Sequence, residues 1–372
     1  MKSLFKFVEV TRLHVFTINN AFCGRLYKGY CTEAVYTAAK EKKIHPYRKI
    51  HPWKSLEQFS EDLLDNIIYN KDGIVALIKP YGISGRKPQI NEDQNVSHYL
   101  VNSIANPVHY TVSDSLDYIA KKLNYSNLIH VCHPEKYMSG VTILATNENI
   151  AERLHKSFER GKCISKQTKT YWLVTTRVPN RLSGKIRGAI KLKTKPRPVI
   201  TTSWSENERK RGDIKIINVE FKVLSNSTLN LSSLIELKTC TRKWHTIRLF
   251  AATMLHAPVL GDNLYGSRVQ KVGDTWLEVD PFLPSTKLPP VLDKNLLNIL
   301  HLTLAKQELI PVHIHLKSIY LPSVFKKGED ITIEAPLVPP FSWTCEKLQF
   351  KNIVTDTEIT ETQDLQQSCQ TG

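Results

Sequence analysis

Apolar residues in this chain recur mainly as short runs bounded by turn-forming residues, a pattern that predicts strands more often than long helices. The run Ile74–Ile78 ends at Lys79-Pro80-Tyr81-Gly82 and predicts a strand followed by a turn. Residues 128–145 predict two strands joined by a loop. Apolar residues at helical spacing predict helices at Leu56–Ile68, Ser113–Leu123, Asn149–Arg160 and His245–Leu255.

Strands predominate in the second half of the chain as well. They are predicted between Thr170 and Leu237, and a last pair is predicted at Val312–Leu321 and Ile331–Ala335. The prolines of Gly273–Asn295 predict a surface loop or insertion there. Strands and helices in no strict alternation indicate an α+β domain with a mixed sheet.

These patterns divide the chain into four parts. Residues 1–45 are a basic arm and a mitochondrial transit segment, residues 46–72 a linker and helix, residues 73–350 the folded domain, and residues 351–372 a disordered acidic tail. The first 30 residues are basic and amphipathic with Glu9 as their one acid, which favours mitochondrial import. A secretory signal is the weaker alternative, because Lys6, Glu9 and Arg12 interrupt its apolar stretch.

Charge is the informative part of the composition. The 372 residues carry a formal net charge of +16, which fits either high solubility or an anionic partner such as nucleic acid. Seven cysteines without a C-x-x-C pair favour free thiols in a reducing compartment over a zinc site or disulfides. No apolar run reaches the roughly 20 residues that a membrane span needs, so no membrane span is predicted.

Four segments together resemble the RluA-type RNA pseudouridine synthases. They are Ile78–Gly82, His133–Gly140, Lys169–Val174, and Thr241–Phe250 followed by Pro258–Tyr265. In that family the second segment reads His-Arg-Leu-Asp-x-x-Thr-Ser-Gly. The chain is most similar to the mitochondrial mRNA pseudouridine synthase branch, which its segments His301–Thr303 and Pro311–Leu316 also fit. The resemblance implies the pseudouridine synthase fold, with a mixed, largely antiparallel sheet, flanking helices and a basic cleft.

The resemblance also implies a chemistry and its residues. A carboxylate acts at the ribose without metal or cofactor, and the target nucleotide is flipped out of its stack. By position in the motifs, Glu135 is the carboxylate, Tyr171 the ring against the flipped base, and Arg248 the partner of the acid. The alternatives are a Tyr171 packed in the core and an Arg248 that binds phosphate or a surface acid.

The loop departs from the family pattern where the catalytic Asp belongs. It is one residue shorter, its only carboxylate is Glu135, and Pro134 and Met138 replace the family's Arg and Thr. One residue of chain spans about 3.3–3.6 Å, so the extra methylene of Glu does not restore the lost reach. A displacement of about 1 Å in a catalytic group can lower the rate about a hundredfold.

A dense basic stretch is predicted to contact RNA phosphates. Its members are Lys185, Arg187, Lys191, Lys193, Lys195 and Arg197. Lys191, Lys193 and Lys195 alternate, which places them on one face of a strand. A solvated face without a ligand is the alternative. His313 and His315 also share a strand face, but no third ligand lies nearby in sequence, so they are interpreted as structural histidines rather than metal ligands.

Two functional hypotheses follow. The first is an RNA-binding or assembly factor of this family that has lost turnover, and the second is an isomerase that converts uridine to pseudouridine with Glu135. Under both, the partner is mitochondrial mRNA or rRNA, other mitochondrial RNA-processing factors are candidate partners, and the location is the mitochondrial matrix.

Overall fold

The structure, a computed structural model, describes residues 44–87, 104, 107–192, 197–241 and 245–351. Within these ranges the strands are β1 (Ile67–Lys71), β2 (Ile74–Lys79), β3 (Ile129–Cys132), β4 (Ser139–Ala145), β5 (Lys169–Val174), β6 (Ser183–Leu192), β7 (Pro198–Thr201), β8 (Ile214–Asn226), β9 (Ser233–Thr239), β10 (Val269–Val272), β11 (Thr275–Glu278), β12 (Ile314–Leu321) and β13 (Ile331–Glu334).

The helices lie between and around these strands. The α-helices are α1 (Leu56–Asp65), α2 (Val112–Lys122), α3 (Glu148–Cys163), α4 (Glu206–Arg211), α5 (Thr246–Thr253), α6 (Lys294–Ile299) and α7 (Phe341–Lys347). Short 3-10 helices occupy Pro46–Arg48, Thr228–Asn230, Gly266–Arg268, Pro284–Lys287 and Leu304–Leu309. None of the described helices is long and apolar enough to cross a membrane.

One large sheet carries the fold. Its strand order is β1-β2-β4-β12-β5-β9-β8-β6-β7, with β3 also paired to β4 and β13 to β12. The β4–β12 pair is parallel, and its neighbours β2–β4 and β12–β5 are antiparallel. The prediction of an α+β fold with a mixed, largely antiparallel sheet and flanking helices is therefore confirmed.

The two faces of the central strands differ in polarity because side chains alternate along each strand. Tyr171, Leu237 and Phe221 are register neighbours on one face. The Phe221 ring lies 5.9 Å from that of Phe250 in α5, so we call this the α5 face. The neighbouring row on the opposite face is polar and consists of Thr170, Lys238, Glu220 and Lys185.

The predicted helices are all present, with ends that shift by a few residues. Ser55 fixes the start of α1, since its side chain accepts a hydrogen bond from the Gln58 N–H at 3.2 Å. That helix ends before Ile67, because Ile67–Lys71 forms the edge strand β1 on β2. Residues 46–72 therefore add a strand to the main sheet as well as a helix.

Gly273–Asn295, predicted to be a surface loop or insertion, contains regular secondary structure. Thr275–Glu278 pairs with Val269–Val272 in a two-stranded hairpin. We call residues 269–293 the insertion. Most of the predicted transit segment, residues 1–45, and of the predicted tail, residues 351–372, lies outside the described residues.

Candidate active site

The loop between β3 and β4 carries the residues that resemble the family's catalytic motif. The Met138 N–H donates to the Glu135 carbonyl at 2.9 Å, which closes a tight turn. Lys79 stabilises this turn, since its buried ammonium donates to the carbonyls of Met138 at 2.6 Å and Ile83 at 2.7 Å. The Lys-Pro turn after β2 and the motif loop are thus fixed to each other.

The Ser-Gly pair at the end of the loop has a packing role. The buried Ser139 hydroxyl and His315 Nδ1 lie 2.9 Å apart. Gly140 has φ of 120°, and a Cβ there would lie 2.3 Å from the Leu316 carbonyl oxygen. Only glycine tolerates this conformation and this approach of β4 to β12. The pair therefore sets the point at which the loop enters the sheet.

Glu135 lies within the turn and is half-buried. Burial raises the pKa of Tyr137 well above its usual value, and the charge of Glu135 raises it further. Burial also raises the pKa of Tyr265 to about 12, with Glu135 among the smaller causes. The negative charge of Glu135 therefore acts on the two buried tyrosines, Tyr137 and Tyr265.

Arg248 of α5 is fully buried and forms a bidentate ion pair with Asp262. Its Nε donates to Asp262 Oδ2 at 2.9 Å and its Nη2 to Oδ1. Asp262 Oδ1 also accepts the N–H groups of Leu264 at 2.9 Å and Tyr265 at 3.0 Å. Burial opposes ionisation of Asp262, but Arg248 and these hydrogen bonds bring its pKa below the usual value.

Aromatic rings enclose this ion pair. The Arg248 guanidinium carbon lies 4.8 Å from the centre of the Tyr137 ring and 5.1 Å from that of Tyr265. His245 Nδ1 is 3.1 Å from the Tyr265 hydroxyl. Burial, followed by the charge of Arg248, lowers the pKa of His245 to about 4, so this imidazole is neutral at physiological pH. We call Tyr137, His245, Arg248, Asp262 and Tyr265 the arginine cluster.

Arg248 has a carboxylate partner to which the sequence analysis gave no role. The bidentate pair is made by Asp262, and the predicted role of Arg248 beside Glu135 stays a prediction. Asp262 belongs to the segment Pro258–Tyr265, which was part of the resemblance, although no role was assigned to it. A Gly-Asp step after a helix was the one available signal, and it does not reveal which side chain the carboxylate meets.

Tyr171 lies on β5 with 1% of its surface exposed. It faces the same side of the sheet as α5 and is the register partner of Leu316 on β12. Leu316 in turn pairs with Gly140, so Tyr171 stands one strand beyond the end of the motif loop. This position fits both interpretations of Tyr171, a ring in the core and a ring beside the site.

The β6 residues of the basic stretch are not on the α5 face. Lys185, Arg187 and Lys191 alternate along β6, and the pairing of Lys185 with Glu220 places all three on the opposite face. Lys185 forms a salt bridge with Glu220 at 3.2 Å, and Lys191 forms one with Glu208. Arg187 and Arg197 instead lie over the aromatic rings of Trp204 and Phe282. Lys193 and Lys195 lie outside the described residues.

The two strand histidines are hydrogen-bonded to neighbouring side chains. His313 Nε2 lies 2.7 Å from the Thr344 hydroxyl, and His315 bonds to Ser139. Both are buried. Among the residues that the structure describes, no cluster of His, Cys, Asp and Glu side chains is suited to hold a metal ion.

The loop, the Lys-Pro turn and α5 thus meet around one buried site. Residues 73–253 match the family model described as RNA pseudouridylate synthase. This chain carries an RNA pseudouridylate synthase domain. The resemblance inferred from the motifs is therefore confirmed.

Several curated proteins share this domain. The mitochondrial mRNA pseudouridine synthase RPUSD3 of Homo sapiens is 32% identical over 220 residues, which cover 57% of this chain and 60% of that protein. The mitochondrial pseudouridylate synthase RPUSD4 of Mus musculus is 24% identical over a match that covers 78% of this chain and 70% of that protein. Ribosomal large subunit pseudouridine synthase C of Rickettsia felis is 27% identical over a match that covers 55% of this chain and 57% of that protein.

A solved structure supports the same fold. Human RNA Pseudouridylate Synthase Domain Containing 4 superposes with a TM-score of 0.58 at 20% identity, covering 79% of this chain and 97% of that chain. The sheet with its flanking helices is thus the pseudouridine synthase fold.

Proposed function

We propose that this protein binds RNA in the mitochondrial matrix and that its family site has lost turnover. The observation that carries the proposal is the motif loop, which is one residue shorter than the family pattern, has Glu135 as its only carboxylate and closes in a tight turn between Glu135 and Met138. Turnover requires a carboxylate at the ribose and a pocket for a flipped base. Here the family's Asp is absent from the motif loop, and Arg248 and Tyr171 are both buried.

RNA as the ligand is supported by the family and by charge. The relatives RPUSD3 and RPUSD4 are pseudouridine synthases, and a formal net charge of +16 favours association with a phosphate backbone. A basic cleft is part of this proposal, with Arg187 and Arg197 as phosphate contacts. Lys185 and Lys191 would first have to release Glu220 and Glu208.

The mitochondrial location is supported by the names of two relatives and by the composition of residues 1–45. RNA binding there would serve mRNA processing or ribosome biogenesis, with mitochondrial mRNA or rRNA as ligand and other RNA-processing factors as partners.

A second function is an active isomerase that uses Glu135. One observation favours it: counted back from Ser139-Gly140, Glu135 occupies the position of the family's Asp, and its charge acts on Tyr137 and Tyr265 inside the site. Glu135 would then act at the ribose as nucleophile or base, with Tyr171 against the uracil.

Base-resolved pseudouridine mapping of mitochondrial transcripts separates the two functions. The purified protein and its Glu135→Gln variant should both leave the RNA unmodified and bind it equally. A matched control is Glu57→Gln, which alters an exposed acid of α1. Modification by the parent protein and the control, but not by Glu135→Gln, would establish the second function instead. Equal modification by all three would contradict both, because another carboxylate would then be the catalyst.

A further inference from the structure

Three arginines of this domain lie over aromatic rings on neighbouring elements. The Arg177 guanidinium carbon is 3.2 Å from the centre of the Trp276 ring. Arg197 lies 5.1 Å from Phe282, and Arg187 lies 6.0 Å from Trp204. None of these six side chains is buried: Arg187 and Phe282 are exposed, and the other four are partly exposed.

Contacts around the edge strand β7 connect the three pairs. Arg197, immediately before β7, donates a hydrogen bond to the Pro281 carbonyl of the insertion. Arg268 donates to the carbonyl of Pro198, the first residue of β7. The insertion therefore lies against the start of β7, and it carries both Phe282 and Trp276.

The Arg187 pair lies at the other end of β7. Ala189 of β6 pairs with Thr201, the last residue of β7, so Arg187 extends beyond that end. Trp204 follows β7 at the same end. We call Arg177, Arg187, Arg197, Trp204, Trp276 and Phe282 the arginine–aromatic surface.

We propose that the arginine–aromatic surface binds unpaired RNA bases by stacking, at a site separate from the arginine cluster. Rings and guanidinium planes stack on any exposed base, and the arginine charges attract the adjacent phosphates. In a duplex the bases are stacked on each other and are not available to these rings. The ligand class is therefore single-stranded RNA, or the loop of a folded RNA. This inference rests on the proposed RNA-binding function and specifies which RNA is held.

The insertion also exposes aliphatic residues such as Leu288 and Val291, at 64% and 81% exposure, which would suit a protein partner. The arginines decide between the two ligands. Each of the three rings is paired with a guanidinium, and proteins bind single-stranded RNA with this combination of aromatic rings and cations. An unpaired RNA strand is thus the occupant to which we commit.

The test compares a short unstructured RNA strand with the duplex formed by the same strand and its complement. The full chain and the variants Trp204→Leu and Trp276→Leu are titrated by fluorescence anisotropy at several salt concentrations. Each variant should weaken single-strand affinity about fivefold or more and leave duplex affinity unchanged. The slope of log affinity against log salt should also stay unchanged, because no charge is removed.

Two further variants guard against a trivial result. Tyr118→Leu removes a ring that also lies beneath a cation, Lys122, but on α2, and it should keep the parent affinity. Arg187→Lys keeps the charge of an exposed side chain while removing its planar stacking group, so it should weaken single-strand binding without altering the fold. Thermal unfolding midpoints verify that each variant is folded.

The outcomes distinguish this inference from the function on which it rests. If the parent protein binds RNA and the Trp204, Trp276 and Arg187 variants bind it equally well, the arginine–aromatic surface is not the site. The exposed rings and aliphatic side chains would then be assigned to a protein contact. A parent protein that binds neither strand nor duplex would overturn the proposed function and this inference together.

Discussion

Arg248 and Asp262 form a bidentate ion pair in which both side chains are fully buried. The pair joins α5 to the turn that follows it, and Asp262 at the same time accepts the N–H groups of Leu264 and Tyr265. Both oxygens of this carboxylate therefore have a donor, which fixes the turn after α5 to that helix.

Removal of this carboxylate should destabilise the domain strongly. Asp262→Ala leaves the Arg248 guanidinium buried without its partner, and breaking a buried pair in this way typically lowers the free energy of unfolding by about 3–5 kcal/mol. Denaturation by urea measures the change. Glu329→Gln, which removes an exposed acid paired with Lys326, is the control and should change it by less than about 1 kcal/mol. Similar small effects for both variants would contradict a structural role of the pair.

Acid should destabilise the protein through its buried histidines. Burial lowers the pKa of His313 to about 4 and that of His315 to about 3, from an ordinary value of 6.5. The unfolded chain therefore binds these protons more tightly than the folded one, so their stabilising effect is complete above about pH 6.5 and is lost as the pH falls toward 4 and 3.

The free energy of unfolding, measured by urea denaturation from pH 7 to pH 4, should fall throughout this range. In His313→Gln the fall should be shallower, since one of the titrating groups is gone, although the variant is less stable at pH 7. His155→Gln, on the exposed side of α3, should reproduce the parent curve. An unchanged slope in His313→Gln would exclude this histidine as the cause.

Gly140 should be among the least replaceable glycines. Gly140→Ala would force a methyl group against the Leu316 carbonyl at a φ of 120°, and we expect the free energy of unfolding to fall by about 3 kcal/mol or more. Gly212→Ala is matched in having a positive φ, of 78°, but a Cβ there meets nothing within 4 Å, so about 1 kcal/mol is expected. Equal losses would mean that backbone conformation alone, rather than the β4–β12 approach, requires glycine at 140.

Lys191, Lys193 and Lys195 remain predicted phosphate contacts. Their combined replacement by Ala should weaken binding of unrelated RNA sequences alike. It should also make the slope of log affinity against log salt shallower by about 0.7 for each phosphate that is no longer neutralised on a single strand. Lys191→Ala alone should contribute least, because Lys191 is already paired with Glu208. Lys156→Ala on α3 serves as the control. An unaltered slope in the triple variant would assign these lysines to a solvated face.

Import can be examined apart from RNA binding. Residues 1–45 fused to a fluorescent reporter should carry it into mitochondria, because the segment is basic, amphipathic and nearly free of acids. Replacement of Lys2, Lys6 and Arg12 by Gln should abolish the import. A reporter that stays diffuse in the cytosol with the native segment would contradict the proposed mitochondrial location.

The sequence by itself determined most of the elements and the family resemblance. The apolar run Ile74–Ile78 and the helical spacing of Leu56–Ile68 are local patterns, because each element must bury one side against its neighbours. The motif segments could be recognised because their local structure requires particular residues. Gly140 is required by the close approach of the Leu316 backbone, and Lys79 by the carbonyl groups to which it donates.

Only the tertiary structure decided which side chains meet. Arg248 pairs with Asp262 because the turn after α5 folds back onto that helix. The register of β6 places Lys185 and Arg187 on the face away from Tyr171. Such pairings depend on packing between elements that are distant in the chain. A local pattern of residues does not specify that packing.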